Sequence, residues 1–239
     1  MSPYLNTLLF GIYPYVALVV LILGTMVRYD REQYTWRSGS SQLLRRKQLV
    51  WGSVLFHVGV LVIFFGHLIG LLTPIAVFDA LGIGHGAKQL LAVVAGGIAG
   101  VMAIAGATML AHRRLFDARV RAASSNSDTL IIILLWIQLA LGLLTIPVSL
   151  QHLDGHEMVR FMSWAQGIFT FNLAASSYVS GAPVVFKLHI FLGLTIQLLF
   201  PFTRLVHMLS VPVGYLWRPG YQVVRERNHS AAPKRQPAE

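Results

Sequence analysis

Long stretches without a single charged side chain dominate this chain and limit what it can fold into. No Asp, Glu, Lys or Arg precedes Arg28, and further uncharged stretches run from Gln48 to Phe78, Gln89 to His112, Thr129 to Leu153 and Phe161 to Phe186. A last one runs from Leu188 to Thr203, and its apolar pattern continues past Arg204 to Val211. A helix needs roughly 20 apolar residues to cross the hydrocarbon core of a bilayer, and most of these stretches meet that length. Only 12% of the residues are charged, against about 25% in an ordinary soluble domain. Lipid, not water, is the solvent this sequence suits. Cysteine is absent, which excludes disulfides, thiolate metal sites and cysteine-ligated iron–sulfur clusters in this chain.

Charge placement decides the number of spans. The stretch from Phe161 to Phe186 carries Ser163, Gln166, Asn172, Ser176, Ser177, Ser180, Gly181 and Pro183. It is too polar for a span and suits the membrane surface. With five spans, the Arg28–Lys47 loop, the Arg113–Arg121 loop and the tail from Arg218 share one side and hold fifteen of the nineteen Lys and Arg residues. Lys88, Arg160 and Lys187 stay on the other. A sixth span would break that asymmetry, and the excess of basic residues marks the cytoplasmic side. The net charge of +10 therefore orients a membrane protein and does not signal nucleic-acid binding.

The expected fold is an all-α integral membrane protein with five transmembrane helices, the N-terminus outside and the C-terminus cytoplasmic. The spans are placed at about residues 3–27, 48–74, 88–112, 128–150 and 184–211. The N-terminus lacks a basic n-region and reads as a retained first helix. Residues 1–227 form the membrane domain, and the polar stretch 228–239 is a disordered cytoplasmic tail.

Two spans carry two histidines each: His57 and His67 in the second, His189 and His207 in the fifth. An ionisable group within a span costs free energy and points to function. Neither span contains a carboxylate, so a carboxylate–histidine proton relay lacks its parts. The spans run antiparallel, so depth pairs His67 with His189 on the outer side and His57 with His207 on the inner side. Two imidazoles can hold a haem iron from opposite faces. Read as one continuous helix, the fifth span turns both of its imidazoles the same way, but separates them by about 27 Å against about 15 Å in the second. Spacing alone leaves three readings open: bis-histidine haem, histidines satisfied by neighbouring helices, or a transport pathway. Gly59, Gly66, Gly70 and Gly193 give room for a macrocycle or for helix packing.

Six segments stand out as ordered motifs: IYPY at Ile12–Tyr15, RYDREQYTWRSGSSQ at Arg28–Gln42 and FHVGVLVIFFGHLIGLLTP at Phe56–Pro74. They continue with RRLFDARVRA at Arg113–Ala122, LGLLTIPVSLQHLDG at Leu141–Gly155 and KLHIFLGLTIQLLFPFTRLVHMLSVP at Lys187–Pro212. In these segments the chain resembles the gamma (cytochrome b) subunit of membrane-bound respiratory nitrate reductase. Lys187 stands where the family pattern has arginine, and the tail beyond Arg227 is longer. The resemblance implies two haems b, the outer held by His67 and His189 and the inner by His57 and His207. It places quinol beside the outer haem, in contact with Lys88 and next to Gly66. Electrons would pass from quinol by the outer and then the inner haem to an iron–sulfur subunit. A cytoplasmic molybdenum subunit would then reduce nitrate to nitrite. The setting implied is the bacterial inner membrane. A cytochrome b anchor of a heterodisulfide- or sulfite-reductase-type complex shares the ligand spacing, and a non-redox anchor or carrier is the reading from a different class.

Other candidates carry less. Arg204 is expected either opposite a haem propionate or snorkelling inward, and Arg113 and Arg114 could serve similarly or simply fix topology. His85 lies on the outer loop near Lys88. His152 and His156, with Asp154 and Glu157, have a spacing that could bind zinc, against which stand Gly155 and the loop setting. His112, at a helix end, is expected at lipid headgroups or a partner. The five tryptophans, Trp36, Trp51, Trp136, Trp164 and Trp217, suit interface or packing positions.

Overall fold

The computed structural model describes residues 2–36, 41, 43–151, 153–210 and 217. All regular structure among them is helical. In chain order the helices are α1 (Pro3–Arg31), α2 (Arg46–Leu72), α3 (Ile75–Ala80), α4 (His85–Phe116), α5 (Ala118–Ala122), α6 (Asn126–Ser149), α7 (His156–Phe169) and α8 (Val184–Leu199). Five segments are long and apolar enough to cross a membrane: α1, α2, α4, α6, and α8 extended to Phe202. The Phe161–Phe186 region is not among them. It forms most of α7, a 3-10 turn at Ala175–Val179 and the first residues of α8. Residues Met1–His207 make one compact unit and Met208–Glu239 a second. The expected tail, 228–239, lies outside the described residues.

The spanning helices pack in the order α2–α4–α6–α8–α1, with no extended packing between α2 and α8. Large apolar side chains such as Ile22, Leu61, Leu91, Ile98, Val101 and Leu144 point outward, as lipid-facing residues do. Small residues set the closest approach. A Cβ at Gly59 would lie 2.6 Å from the Ala99 carbonyl oxygen and 2.7 Å from the Ala103 nitrogen. One at Gly106 would lie 2.7 Å from the Gly52 carbonyl and collide with the Phe56 nitrogen. Gly59 and Gly106 thus lock α2 onto α4.

Proline chemistry explains the irregular turns. Pro14 has no N–H for the carbonyl of Phe10, and its ring would clash there. The chain answers with a π turn at Leu8–Ile12, and the Trp164 indole N–H donates to the Phe10 carbonyl at 2.9 Å. Trp164 is therefore a buried tether between α7 and α1, not an interfacial residue. Gln166, close by on α7, donates to the carbonyls of Leu71 and Thr73 at 3.0 and 3.1 Å. It caps the orphan carbonyls at the end of α2, where Pro74 stops the helix.

The fifth span corrects the sequence expectation. It is not one helix from 184 to 211. The α-helix ends at Leu199, a 3-10 turn follows at Phe200–Phe202, Thr203 is extended, and Arg204–Leu209 is again 3-10. Pro201 is the cause, since it cannot donate back to Gln197. Arg28 on α1 gathers the loosened backbone: its Nη1 donates to the carbonyls of Pro201 and Thr203 at 2.7 and 2.8 Å. Gly24 lets α1 approach, since a Cβ there would lie 2.8 Å from Pro201 Cγ. The expected separation of about 27 Å between the two histidines holds only for an unbroken α-helix, which this segment is not.

At the basic end, Ser125 and Asp128 form a capping box on α6, each side chain accepting from the other's backbone N–H. Asp117 caps α5. The backbone N–H of Val120 and the guanidinium of Arg45, 2.5 Å away, hold its carboxyl below the usual aspartate range.

Candidate functional site

The structure brings the four span histidines together in the couples that depth suggests. The rings of His67 and His189 have centres 6.2 Å apart and planes inclined at 37°. Those of His57 and His207 lie 6.3 Å apart at 73°. A metal–imidazole bond is about 2.0–2.1 Å, and the ring centre lies about 1.1 Å behind the nitrogen, so two rings on opposite sides of one metal have centres about 6 Å apart. Both couples have that spacing. They bridge α2 to the fifth span.

Hydrogen bonds fix the tautomer of three rings. Carbonyl oxygens only accept, so a ring nitrogen bonded to one must carry the proton. His57 Nδ1 donates to the Ser53 carbonyl at 2.7 Å, His67 Nδ1 to Ile63 at 2.9 Å, and His207 Nδ1 to Arg204 at 2.5 Å. Each Nε2 then keeps its lone pair, as metal-ligating histidines do. His189 differs. Its Nδ1 is buried without a hydrogen-bond partner among the described residues, and Gln138 on α6 reaches the residue instead. Gln138 Nε2 donates to the His189 carbonyl at 3.1 Å and lies 3.5 Å from the ring Nε2.

Glycines line this region in two ways. A Cβ at Gly66 or at Gly70, one turn apart on α2, would meet nothing within 4 Å. A Cβ at Gly142 on α6 would lie 3.1 Å from His189 Cε1, so the imidazole rests against the bare backbone. Gly193 makes room for the Gln138 amide, 3.1 Å from where its Cβ would be. The donor set fits a haem at each couple. Among the described residues no three His, Cys, Asp or Glu side chains cluster as a metal site, but a haem asks the protein for only two.

Lys88 is buried, with 8% of its surface exposed, and is not a snorkelling anchor. Its Nζ donates to the Gly70 carbonyl at 3.0 Å and to Met162 Sδ at 2.9 Å, and sits 3.6 Å from the ring centre of Phe78. Gly70 is one turn from both Gly66 and His67. Lys88, on α4, therefore reaches the end of α2 that carries Gly66 and His67.

The remaining candidates resolve as follows. Arg204 pairs with Asp128 at 3.7 Å, and Arg114 meets the same carboxylate at 3.3 Å. This places two guanidinium groups against one acid near His207. Arg113 is buried and donates to the Ser41 hydroxyl and to the carbonyls of Ser41 and Leu44, tying down the basic loop. His85 pairs with Asp79 at 3.2 Å. His112 lies 3.3 Å from Gln48 Nε2 and packs on Phe116. His156 is exposed beside Asp154, and His152 lies outside the described residues. Sequence reasoning missed Gln138, Gly142 and Arg28. A lone glutamine in the middle of an apolar span was the available signal for the first.

Comparison with known proteins assigns the chain to a family. A family model described as the nitrate reductase gamma subunit matches residues 6–227. The respiratory nitrate reductase 1 gamma chain of Escherichia coli is 50% identical over 225 residues, covering 94% of this chain and 99% of that protein. The nitrate reductase gamma chain of Bacillus subtilis is 38% identical over 221 residues, covering 92% and 98%. A nitrate reductase-like protein, NarX, of Mycobacterium tuberculosis is 34% identical over 227 residues, covering 93% of this chain but 34% of that longer protein. The chain belongs to the nitrate reductase gamma subunit family.

Proposed function

We propose that this chain is the membrane anchor and quinol-oxidising dihaem cytochrome b subunit of a respiratory nitrate reductase in the bacterial cytoplasmic membrane. Its N-terminus is outside and its basic end faces the cytoplasm. His67 and His189 hold the outer haem, and His57 and His207 the inner one. The observation that carries the reading is the pair of imidazole couples, each at metal-bridging distance and each joining α2 to the fifth span. Three of the four Nδ1–H groups are committed to carbonyls, which supports coordination through Nε2.

Lys88 and Gly66 bind quinol. An ammonium has three hydrogens; two of those on Lys88 reach Gly70 and Met162, and the third donates to a quinol oxygen. Gly66 leaves the space for the quinol ring beside His67. Arg204, steadied by Asp128, offers a guanidinium to a propionate of the inner haem. The haems, when bound, would supply one-electron redox chemistry, so that the two protons of quinol are released on the outer side while its two electrons leave singly toward the basic end. The iron–sulfur and molybdenum partners of the family dock there, and nitrate is reduced in the latter.

The test is spectroscopic. The intact complex, purified from cells given adequate haem precursor, is expected to show two b-type haems in this chain, both reducible by quinol. A chain without Soret absorption would refute the reading.

A further inference from the structure

The couple formed by His67 and His189 is held asymmetrically. His67 is steadied by a carbonyl of its own helix. His189 has no such bond, and its Nδ1 is buried without a partner among the described residues. Two residues from a different helix take over. Gly142 offers a surface against which the ring lies, with Cε1 3.1 Å from the position a Cβ would occupy. One turn away, Gln138 fixes the His189 backbone by donating to its carbonyl at 3.1 Å. Gly193, one turn beyond His189, leaves the notch that the Gln138 amide fills.

We propose that Gln138 and Gly142 on α6 are positioning residues that set the imidazole plane of His189, and thereby the electronic character of the haem that His189 and His67 hold. The inference rests on the dihaem reading above. A ligand ring that lacks its own hydrogen-bonded orienter is free to turn about its Cβ–Cγ bond unless packing stops it. Gly142 stops it on one side, and the amide of Gln138 lies beside its Nε2. Axial-ligand orientation and the hydrogen bonds around it are the levers by which a protein tunes a haem. Among the described residues no hydrogen bond or ring contact joins the His57–His207 couple to either residue, so it serves as an internal reference.

The experiment uses the assembled complex, comparing wild type with Gly142→Ala and Gln138→Met. Low-spin haem signals are read by electron paramagnetic resonance, and both midpoint potentials by redox titration. The methyl group that Gly142→Ala adds must push the ring by a few tenths of an ångström. The expected result is two haems retained, one signal and one potential shifted, and the other pair unchanged. The shifted signal is the one lost in His189→Ala. Unchanged signals and potentials in Gly142→Ala overturn the proposal. If Gly142→Ala does not assemble, Gln138→Met decides: it keeps the volume and removes the donor, and an unshifted signal there overturns the proposal equally. A wild-type complex without haem signals fails earlier and sinks the dihaem reading itself.

Discussion

His67 and His189 face each other with ring centres 6.2 Å apart, although the helices that carry them do not pack along one another. The two imidazoles meet without extended helix contact, at the spacing on which the dihaem proposal rests.

Replacement of one member of a couple should cost one haem and spare the other. His189→Ala is expected to leave one b-type haem per chain, retained by His57 and His207; His57→Ala should leave the other. Haem-to-protein ratios by pyridine haemochromogen on the purified complex measure this. A ratio of two in either variant would remove that histidine from the ligand set.

Lys88→Ala should keep both haems and lose quinol oxidation. A hydrogen bond to a charged group contributes about 1.5–3 kcal/mol, which corresponds to roughly a 10- to 100-fold fall in kcat/KM. Stopped-flow reduction of the haems by quinol reports the loss. Wild-type rates and affinity would show that the buried ammonium only caps the end of α2.

Arg28→Met should loosen the segment bearing His207 without touching His189. The guanidinium satisfies two carbonyls exposed by the break at Pro201, and leaving buried carbonyls unpaired costs about 1–3 kcal/mol each. The expected outcome is faster loss of the His57–His207 haem on mild heating, with the other haem retained. Equal retention of both would place the cause elsewhere.

Trp164 and Pro14 should be energetically coupled. Trp164→Phe strands the Phe10 carbonyl and is expected to lower stability by about 1–2 kcal/mol. In Pro14→Ala the new N–H can serve that carbonyl, so adding Trp164→Phe should then cost less. A double-mutant cycle on thermal melting of the complex measures the coupling. Additive losses would mean that the indole matters only as bulk.

The five spans were readable because charge asymmetry and uncharged length are properties of the chain itself; the Phe161–Phe186 stretch is long and uncharged, but its polar residues and the charge asymmetry ruled it out. Helix ends followed to within a few residues, except in the fifth span. There Pro201 was visible, but the apolar pattern running past Arg204 hid the change to a 3-10 turn. Depth was enough to pair the histidines, because antiparallel order fixes it. The seat of His189 was not legible, since Gly142 and Gln138 belong to a helix without histidines and matter only once the fold brings α6 to α8. The burial of Lys88 likewise depends on α7 covering it with Met162, a contact between residues 74 positions apart.

The clasp of Arg28 on the segment around Pro201 also bears on the order in which the molecule can be completed. Both imidazole couples draw one member from α2 and the other from the fifth span, which leaves the ribosome after α2, α4 and α6. A nascent chain halted after α6 would own half of each couple and neither whole. On the dihaem proposal, cofactor capture is a late step of biogenesis, and the grip of the first span on the fifth is its latch.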